Sequence, residues 1–255
     1  MPFKPVLVRV HRWLGLAVMA FWLVQALTGI VCVFHWEIDD ALLAAPHRPT
    51  ELAAIDRRIA ALMPAGSGWA VASIWTSAGA PDRWDISLDN ARTGASKAVR
   101  IDGAGTVLRV RDGSETLRDG AWLDSVVLLH QRLLAGDVGS WIVGVSGVLL
   151  FTNILGGLIL AWPKRGTARR ALAPPRAGRL PARLYGWHRA LGLWLGIPAA
   201  LLVSAGVARV FADGFERMIG APPISVPAEP PQGPSIAFSR AAGAALARHP
   251  GAALA

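Results

Sequence analysis

The stretch "VHRWLGLAVMAFWLVQALTGIVCVFHWEIDD", residues 10–40, determines how the rest of the sequence is interpreted. Residues 13–36 contain no Asp, Glu, Lys or Arg, and a helix of this length can cross about 30 Å of hydrocarbon. Two further windows without these residues lie at 138–163 and 190–208. The first window is longer than the apolar core of a cleavable signal peptide. The sequence therefore predicts three transmembrane helices.

The composition and the distribution of charge support a membrane protein. Only 17% of the residues are charged, against about a quarter in soluble domains. The net charge of +9 is concentrated in residues 1–12 and in the loop 163–189, which carries eight Lys or Arg and no acid. Because short basic segments mark the cytoplasmic side, we expect both segments inside and residues 37–137 outside. This distribution favours membrane lipid over nucleic acid as the partner of the basic loop.

The predicted organisation alternates between membrane and water. We expect a small extracytoplasmic α+β domain in which a helix at "TELAAIDRRIAALMP" packs on a three- or four-stranded antiparallel sheet. The segments are a cytoplasmic N-terminus (1–12), transmembrane helix 1 (13–36), the extracytoplasmic domain (37–137), transmembrane helix 2 (138–163), a basic cytoplasmic loop (164–187), transmembrane helix 3 (188–211) and an extracytoplasmic linker with the start of a second domain (212–255). Cys32 is the only cysteine, so one chain has no internal disulfide.

An internal repeat relates the first and third windows. Shifting the sequence by 177 positions superimposes seven identical residues, among them a His-Arg pair that hydrophobicity alone does not explain. The matched pairs are His11 with His188, Arg12 with Arg189, Leu14 with Leu191, Gly15 with Gly192, Leu16 with Leu193, Gly29 with Gly206 and Phe34 with Phe211. The repeated unit is a helix, an outer domain and a second helix. We expect the second unit to be incomplete, as in a truncated four-helix protein, with a reduced second half as the alternative.

Four histidines fall at the ends of the predicted spans. His11 and His188 lie at the cytoplasmic end, and His35 and His130 lie at the outer end. Two facing imidazoles can bind haem iron from both axial sides, and the 24 residues from His11 to His35 span about 36 Å of helix. The two pairs therefore predict haem sites near opposite faces of the membrane, a layout suited to electron transfer. The alternative without a cofactor is that each histidine caps a helix or anchors it at the interface.

Arg12 and Arg189 directly follow two of these histidines. A guanidinium can pair with a haem propionate, and the same residues serve equally well as positively charged anchors on the cytoplasmic side. The sequence contains no phosphate-binding loop, dinucleotide fingerprint, HExxH or GxSxG pattern, which argues against a nucleotide site and against hydrolase chemistry. Catalytic residues are not identifiable from these patterns.

The segments "HRWLGLAVMAFWLVQALTG", "FHWEIDDAL", "LHQRLLAGDVGSWIVGVSGVLLFTNILGGLILAW" and "WHRALGLWLG" together resemble the PepSY-associated transmembrane family of bacterial inner-membrane proteins. The segment "VRIDGAGTVLRVRD" resembles the PepSY domain itself. The resemblance implies four helices, PepSY-like outer domains, b-type haem (one or two) and reduction of ferric siderophores in the periplasm. His11, His130 and His188 match the histidine positions of the family, whereas His35 is inferred from its depth.

The resulting functional hypothesis is a haem-binding inner-membrane reductase. Electrons from a cytoplasmic or quinol donor would pass through haem to the iron of a periplasmic ferric siderophore. The alternative is a non-enzymatic module, in which the PepSY-like domain binds a peptidase or transporter partner and the helices serve as its anchor. Under that alternative the histidines are interfacial and the protein is colourless.

Overall fold

The computed structural model describes residues 3–77, 80–112, 122–175, 177–220 and 236–249. The chain forms two compact units, each described by itself. The helical unit comprises Met1–Gly29 and Leu128–Ser225, and the sheet unit comprises Ile30–Val127 and Val226–Ala255. In chain order the elements are α1 (Phe3–Val33), α2 (His35–Leu43), α3 (Leu52–Leu62), β1 (Trp69–Ser77), β2 (Ala80–Asn90), β3 (Ser96–Asp102), β4 (Val107–Asp112), α4 (Trp122–Arg132), α5 (Gly136–Ala161), α6 (Ala168–Leu172), α7 (Leu180–Val210), α8 (Ala212–Ile219) and α9 (Phe238–Arg248).

Among the described residues, three helices are long and apolar enough to cross a membrane, which confirms the prediction of three apolar helices. They are α1 with 31 residues, α5 with 26 and α7 with 31. Even α5 is about 39 Å long, because an α-helix rises 1.5 Å per residue. A helix suits this sequence because hydrocarbon offers no hydrogen-bond partners and the backbone must satisfy its own polar groups. Both α1 and α7 begin several residues before their charge-free windows.

Glycines allow α5 and α7 to pack closely. At three positions an added Cβ would lie less than 3 Å from a side chain of the other helix, so only hydrogen fits. These contacts join Gly144 to Phe211 and Val210, Gly147 to Val207, and Gly196 to Leu158. Gly144, Gly147 and Gly196 therefore act as packing positions.

The chain bends sharply between α4 and α5. Leu133 and Leu134 have left-handed φ angles of 51° and 56°, and Gly136 has a φ of 56°. A Cβ at Gly139 would lie 1.6 Å from the carbonyl oxygen of Arg132, so this position requires glycine. The bend occurs where Gly136 and Gly139 predict it.

The sheet unit is a four-stranded antiparallel meander in the order β1-β2-β3-β4. One sheet face packs on α3 around Ile55, and this confirms the predicted helix-on-sheet arrangement. The buried strand residues of this core are Trp84, Ile86, Leu88, Val99 and Ile101. They alternate along β2 and β3, as expected for a strand with one apolar face.

The Ala-rich segment after residue 235 forms α9 and packs in this same unit. Phe238 contacts the Trp84 ring edge-on at a centroid distance of 5.3 Å, and the Ser239 backbone N–H donates to Asp56 Oδ1 over 3.2 Å. The segment predicted as the start of a second domain thus contributes to the core formed by the first sheet. The sequence "APPISVPAEPPQGPSIAF", residues 221–238, predicts a linker, and its residues 221–235 lie outside the described residues.

Ion pairs connect the opposite sheet face to α2, together with an edge-on contact between Trp36 and Trp75 at a centroid distance of 4.8 Å. Asp39 of α2 is buried and binds Arg109 through two hydrogen bonds of 2.6 and 2.5 Å, and it also pairs with Arg100 and Arg111. Arg100 continues the network to Asp85, with Nε 2.8 Å from Oδ1. Burial alone raises the pKa of Asp39. The Arg109 hydrogen bond and the charges of Arg100, Arg109 and Arg111 outweigh that effect and lower the pKa below its ordinary value.

The substitution Asp39→Asn tests this network. It leaves the guanidinium groups without their shared carboxylate, and breaking a buried ion pair costs about 3 kcal/mol or more. We expect a clear drop in the denaturant concentration at the unfolding midpoint, measured by tryptophan fluorescence in detergent. Glu37→Gln on the exposed side of α2 is the matched control and should leave the midpoint unchanged. Equal midpoints for both variants would contradict the assigned role of Asp39.

Acid should remove the same stabilisation. Because folding lowers the pKa of Asp39, its contribution is complete above the unfolded value of about 3.9 and is lost as pH falls through the folded pKa. We expect the stability difference between the wild type and Asp39→Asn to be constant at neutral pH and to shrink below about pH 4. A difference that persists unchanged into strong acid would contradict this assignment.

Candidate functional site

His11 of α1 and His188 of α7 face each other in the helical unit. Their ring centroids are 6.1 Å apart and the ring planes are inclined by 50°. Two imidazoles that bind one metal ion from opposite sides, each through a bond of about 2 Å, have ring centres about 6 Å apart. The separation of these two rings therefore matches axial ligation of a single iron.

A third helix orients His11. Its Nδ1 lies 3.0 Å from the backbone oxygen of Asn153 on α5. Since a carbonyl only accepts, Nδ1 carries the proton and Nε2 keeps the lone pair with which imidazole binds metals. The ring rests on Gly157, where a Cβ would lie 2.8 Å from the His11 Cε1 atom. The carbonyl and the glycine are four residues apart on the same face of α5.

His130 repeats this arrangement on α1. Its Nδ1 lies 3.1 Å from the backbone oxygen of Gln25 and 3.1 Å from the hydroxyl oxygen of Thr28. A Cβ at Gly29 would lie 3.0 Å from the His130 Cε1 atom. Here too the accepting carbonyl precedes the glycine by four residues, and Nε2 is left as the unprotonated nitrogen. Burial lowers the pKa of His130, which favours the neutral, ligating form.

His35 and His188 are held differently. His35 belongs to the sheet unit, where its Nδ1 lies 2.8 Å from the backbone oxygen of Cys32 and its ring lies 4.2 Å from that of Trp36. His188 is exposed and has no hydrogen-bond partner among the described residues. The structure thus brings His11 and His188 together, whereas His130 and His35 are each described only within their own unit.

The two predicted arginines have local contacts. Nε and Nη2 of Arg189 lie 3.4 Å from the carbonyl oxygen of Ala161, the last residue of α5. The guanidinium of Arg12 lies 5.7 Å from the ring centre of Trp13. Arg189 therefore contributes to the end of α5 next to His188, and Arg12 packs on its own helix.

The residues that position the histidines were not identified from the sequence. Asn153 is a polar residue within a predicted span, a signal that could have identified it because such residues are costly in hydrocarbon. Its side-chain Oδ1 is buried without a hydrogen-bond partner, as are Nε2 of Gln25 and Nε1 of Trp22. Gly157 was recognised only as a glycine that permits close packing or clearance for a flat macrocycle.

His47, which the sequence suggests is solvated, is exposed but not isolated. Its Nε2 lies 3.1 Å from Asp40 and its Nδ1 lies 2.9 Å from Asp82. Among the described residues, no three His, Cys, Asp or Glu side chains form a group able to hold a metal ion. The contacts of His47 with Asp40 and Asp82 connect α2 to β2.

Substituting the glycine beneath His11 should disrupt the pair. In Gly157→Ala the new methyl group overlaps the imidazole, so we expect a lower thermal unfolding midpoint in detergent. The control is Gly192→Ala, because nothing lies within 4 Å of that position and alanine favours helix by about 1 kcal/mol. Its midpoint should be unchanged or higher. Equal responses would show that Gly157 carries no contact with His11.

Comparison with known proteins agrees with these observations. No curated protein matches the chain. The family model described as the PepSY-associated TM region matches residues 8–252, nearly the whole sequence. Together with the three apolar helices and the small antiparallel sheet, this match identifies the chain as a membrane protein of the PepSY-associated transmembrane family.

Proposed function

We propose that this protein is a haem-binding reductase that passes electrons across the bacterial inner membrane to ferric iron held by a periplasmic siderophore. The observation that carries the proposal is the pairing of His11 and His188 at 6.1 Å. A role as separate interfacial anchors would not require the two histidines to lie next to each other.

The side chains around this pair fit a haem. His11 and His188 would supply the axial nitrogens, and Gly157 leaves room beside the His11 ring. The hydrogen bond from His11 to Asn153 sets the required tautomer without an added charge. Arg12 and Arg189 follow the ligands along the chain and would balance the propionates. Haem bound there would supply one-electron transfer, which none of these side chains provides.

A second haem is supported by His130. Its ring is held by the same kind of carbonyl and glycine as that of His11, which leaves Nε2 available as a ligand. His35 donates Nδ1–H to a carbonyl in the same manner. We therefore propose His130 and His35 as outer ligands and expect one or two haems for this chain.

The direction of transfer follows from the charge distribution. The basic segments 1–12 and 163–189 favour a cytoplasmic location for the N-terminus and for the His11/His188 end. A cytoplasmic or quinol donor would deliver electrons at that end. One electron converts Fe³⁺ of the siderophore to Fe²⁺, which hard oxygen ligands hold less tightly, and the iron is released.

Haem content tests the proposal directly. We expect the purified wild type to show a reduced-minus-oxidised spectrum of six-coordinate b-type haem, with one or two haems per chain by pyridine haemochrome. The variants His11→Ala and His188→Ala should each lower the stoichiometry by one. His249→Ala is the matched control, because His249 is exposed at the end of α9 and should not bind haem. Absence of haem after expression with haem supplied would refute the proposal.

Reduction is a separate test, made on protein that contains haem. Proteoliposomes with a reductant inside and a ferric hydroxamate chelate outside should form Fe²⁺ outside, detected by ferrozine. The rate should fall at least tenfold for His188→Ala relative to His249→Ala. Equal rates for the two variants would mean that the haem does not carry the electrons.

The second candidate function is a membrane-anchored binding module. It is supported by β1, which lies at the edge of the sheet and whose nine residues, "WAVASIWTS", carry no charge. Such an edge can accept an extended segment of a peptidase or transporter partner as an added strand. Under this function His188→Ala is colourless like the wild type and still binds the partner.

A further inference from the structure

The loop between α5 and α7 carries a dense cluster of cations. We call residues 163–189 the basic hairpin; its sequence contains eight Lys or Arg and no acid. Arg176 lies outside the described residues, and Arg189 binds the carbonyl of Ala161. The remaining six cations are exposed: Lys164, Arg165, Arg169, Arg170, Arg179 and Arg183.

The sequence of the basic hairpin, rich in Arg, Pro and Gly, predicts an irregular loop, but its described residues are folded. It contains α6, whose Ala171 is only 3% exposed. Pro175 packs on Gly186 of α7, where a Cβ would lie 2.5 Å from Pro175 Cγ. The hydroxyl of Thr167 donates to the carbonyl of Lys164 over 2.8 Å. The exposed cations therefore project from a defined backbone.

Among the described residues, these cations have no acidic partner. In the sheet unit Arg83, Arg100 and Arg109 all pair with aspartates. None of the six exposed cations of the basic hairpin has a carboxylate within 4 Å in the part of the chain that the structure describes. The surface is therefore complementary to an anionic partner.

Exposed apolar side chains lie among the cations. On the first turns of α7, Leu180, Leu184 and Tyr185 are 65%, 60% and 69% exposed, and Leu172 of α6 is 38% exposed. Nucleic acid would bind the cations but offers nothing to aliphatic side chains on a helix. The boundary between lipid headgroups and acyl chains accommodates both kinds of side chain. The neighbouring segments α5 and α7 are themselves apolar helices long enough to span a membrane.

We propose that the basic hairpin is a binding surface for the headgroups of anionic phospholipids, with its leucines and Tyr185 inserted at the acyl boundary. The exposed arginines of α6 and of the start of α7 contact phosphate oxygens, which accept guanidinium hydrogen bonds in pairs. This interaction requires neither haem nor a particular orientation of the chain. The lipid proposal can therefore fail or succeed independently of the reductase proposal.

The test uses the full chain in nanodiscs made of phosphatidylglycerol and phosphatidylcholine in equal amounts. After mild detergent extraction, native mass spectrometry counts the lipids that each protein retains. We expect the wild type to retain phosphatidylglycerol preferentially, and we expect added salt to weaken this preference. In Arg169→Gln/Arg170→Gln/Arg183→Gln each neutralised arginine should weaken retention about fivefold, as expected for about 1 kcal/mol per cation.

The matched control removes the same charge from exposed arginines of the sheet unit, in Arg57→Gln/Arg92→Gln/Arg240→Gln. It should retain phosphatidylglycerol like the wild type. Thermal unfolding midpoints of the two triple variants establish that both are folded. Equal retention of both lipids by the wild type, or an equal loss in both triple variants, would overturn the proposal. Tighter binding of a labelled single-stranded RNA than of phosphatidylglycerol would overturn it in favour of a nucleic-acid surface.

Discussion

The helical unit depends on one kind of contact. An imidazole donates its Nδ1–H to a backbone carbonyl of another helix, and the ring rests on the glycine four residues after that carbonyl. It occurs between His11 and α5 and again between His130 and α1. A buried ring N–H needs an acceptor, so the carbonyl satisfies the donor and selects the tautomer. The glycine is required because any side chain would occupy the space of the ring. The remaining ring nitrogen is left free for a ligand.

In the sheet unit, charged side chains are removed from water and are stabilised by opposite charges. Asp39 and Asp40 follow directly after the first apolar helix and are matched by Arg100, Arg109 and Arg83 on the strands. Arg83 is fully buried and also donates to the carbonyls of Ala45 and Pro46. A buried ion pair contributes little net stability, but loss of one partner is costly. The network therefore determines the position of α2 on the sheet more than it contributes to the free energy of unfolding.

The sequence predicted what depends on local pattern. Uninterrupted apolar windows gave the three long helices, alternation gave the strands, and the offset of 177 singled out His11 and His188. What it missed depends on contacts between residues distant in the chain. Asp39 meets Arg100 and Arg109 across 61 and 70 positions, and His11 meets Asn153 across 142. No periodicity encodes such pairs. The packing of α9 on the first sheet was likewise not predicted, because an Ala-rich pattern does not indicate which element the helix packs against.

The reductase proposal and the lipid proposal place different requirements on α7. The reductase proposal requires the start of α7 to present His188 to His11, and the lipid proposal requires the same turns to lie among headgroups. They are compatible, because His188 has no hydrogen bond of its own among the described residues and depends on the placement of α7. An anionic leaflet that holds the basic hairpin would also hold this ligand in position.

The reductase proposal requires His11 and His188 to bind one iron from opposite sides. Electron paramagnetic resonance of the oxidised, purified protein measures this ligation, because two axial imidazoles make ferric haem low-spin. We expect a low-spin ferric signal in the wild type, and we expect His188→Ala to lose the part that belongs to one haem or to convert that part to high-spin. A wild-type spectrum with only high-spin iron, or a low-spin signal per chain that is as intense in His11→Ala and His188→Ala as in the wild type, would refute this ligation.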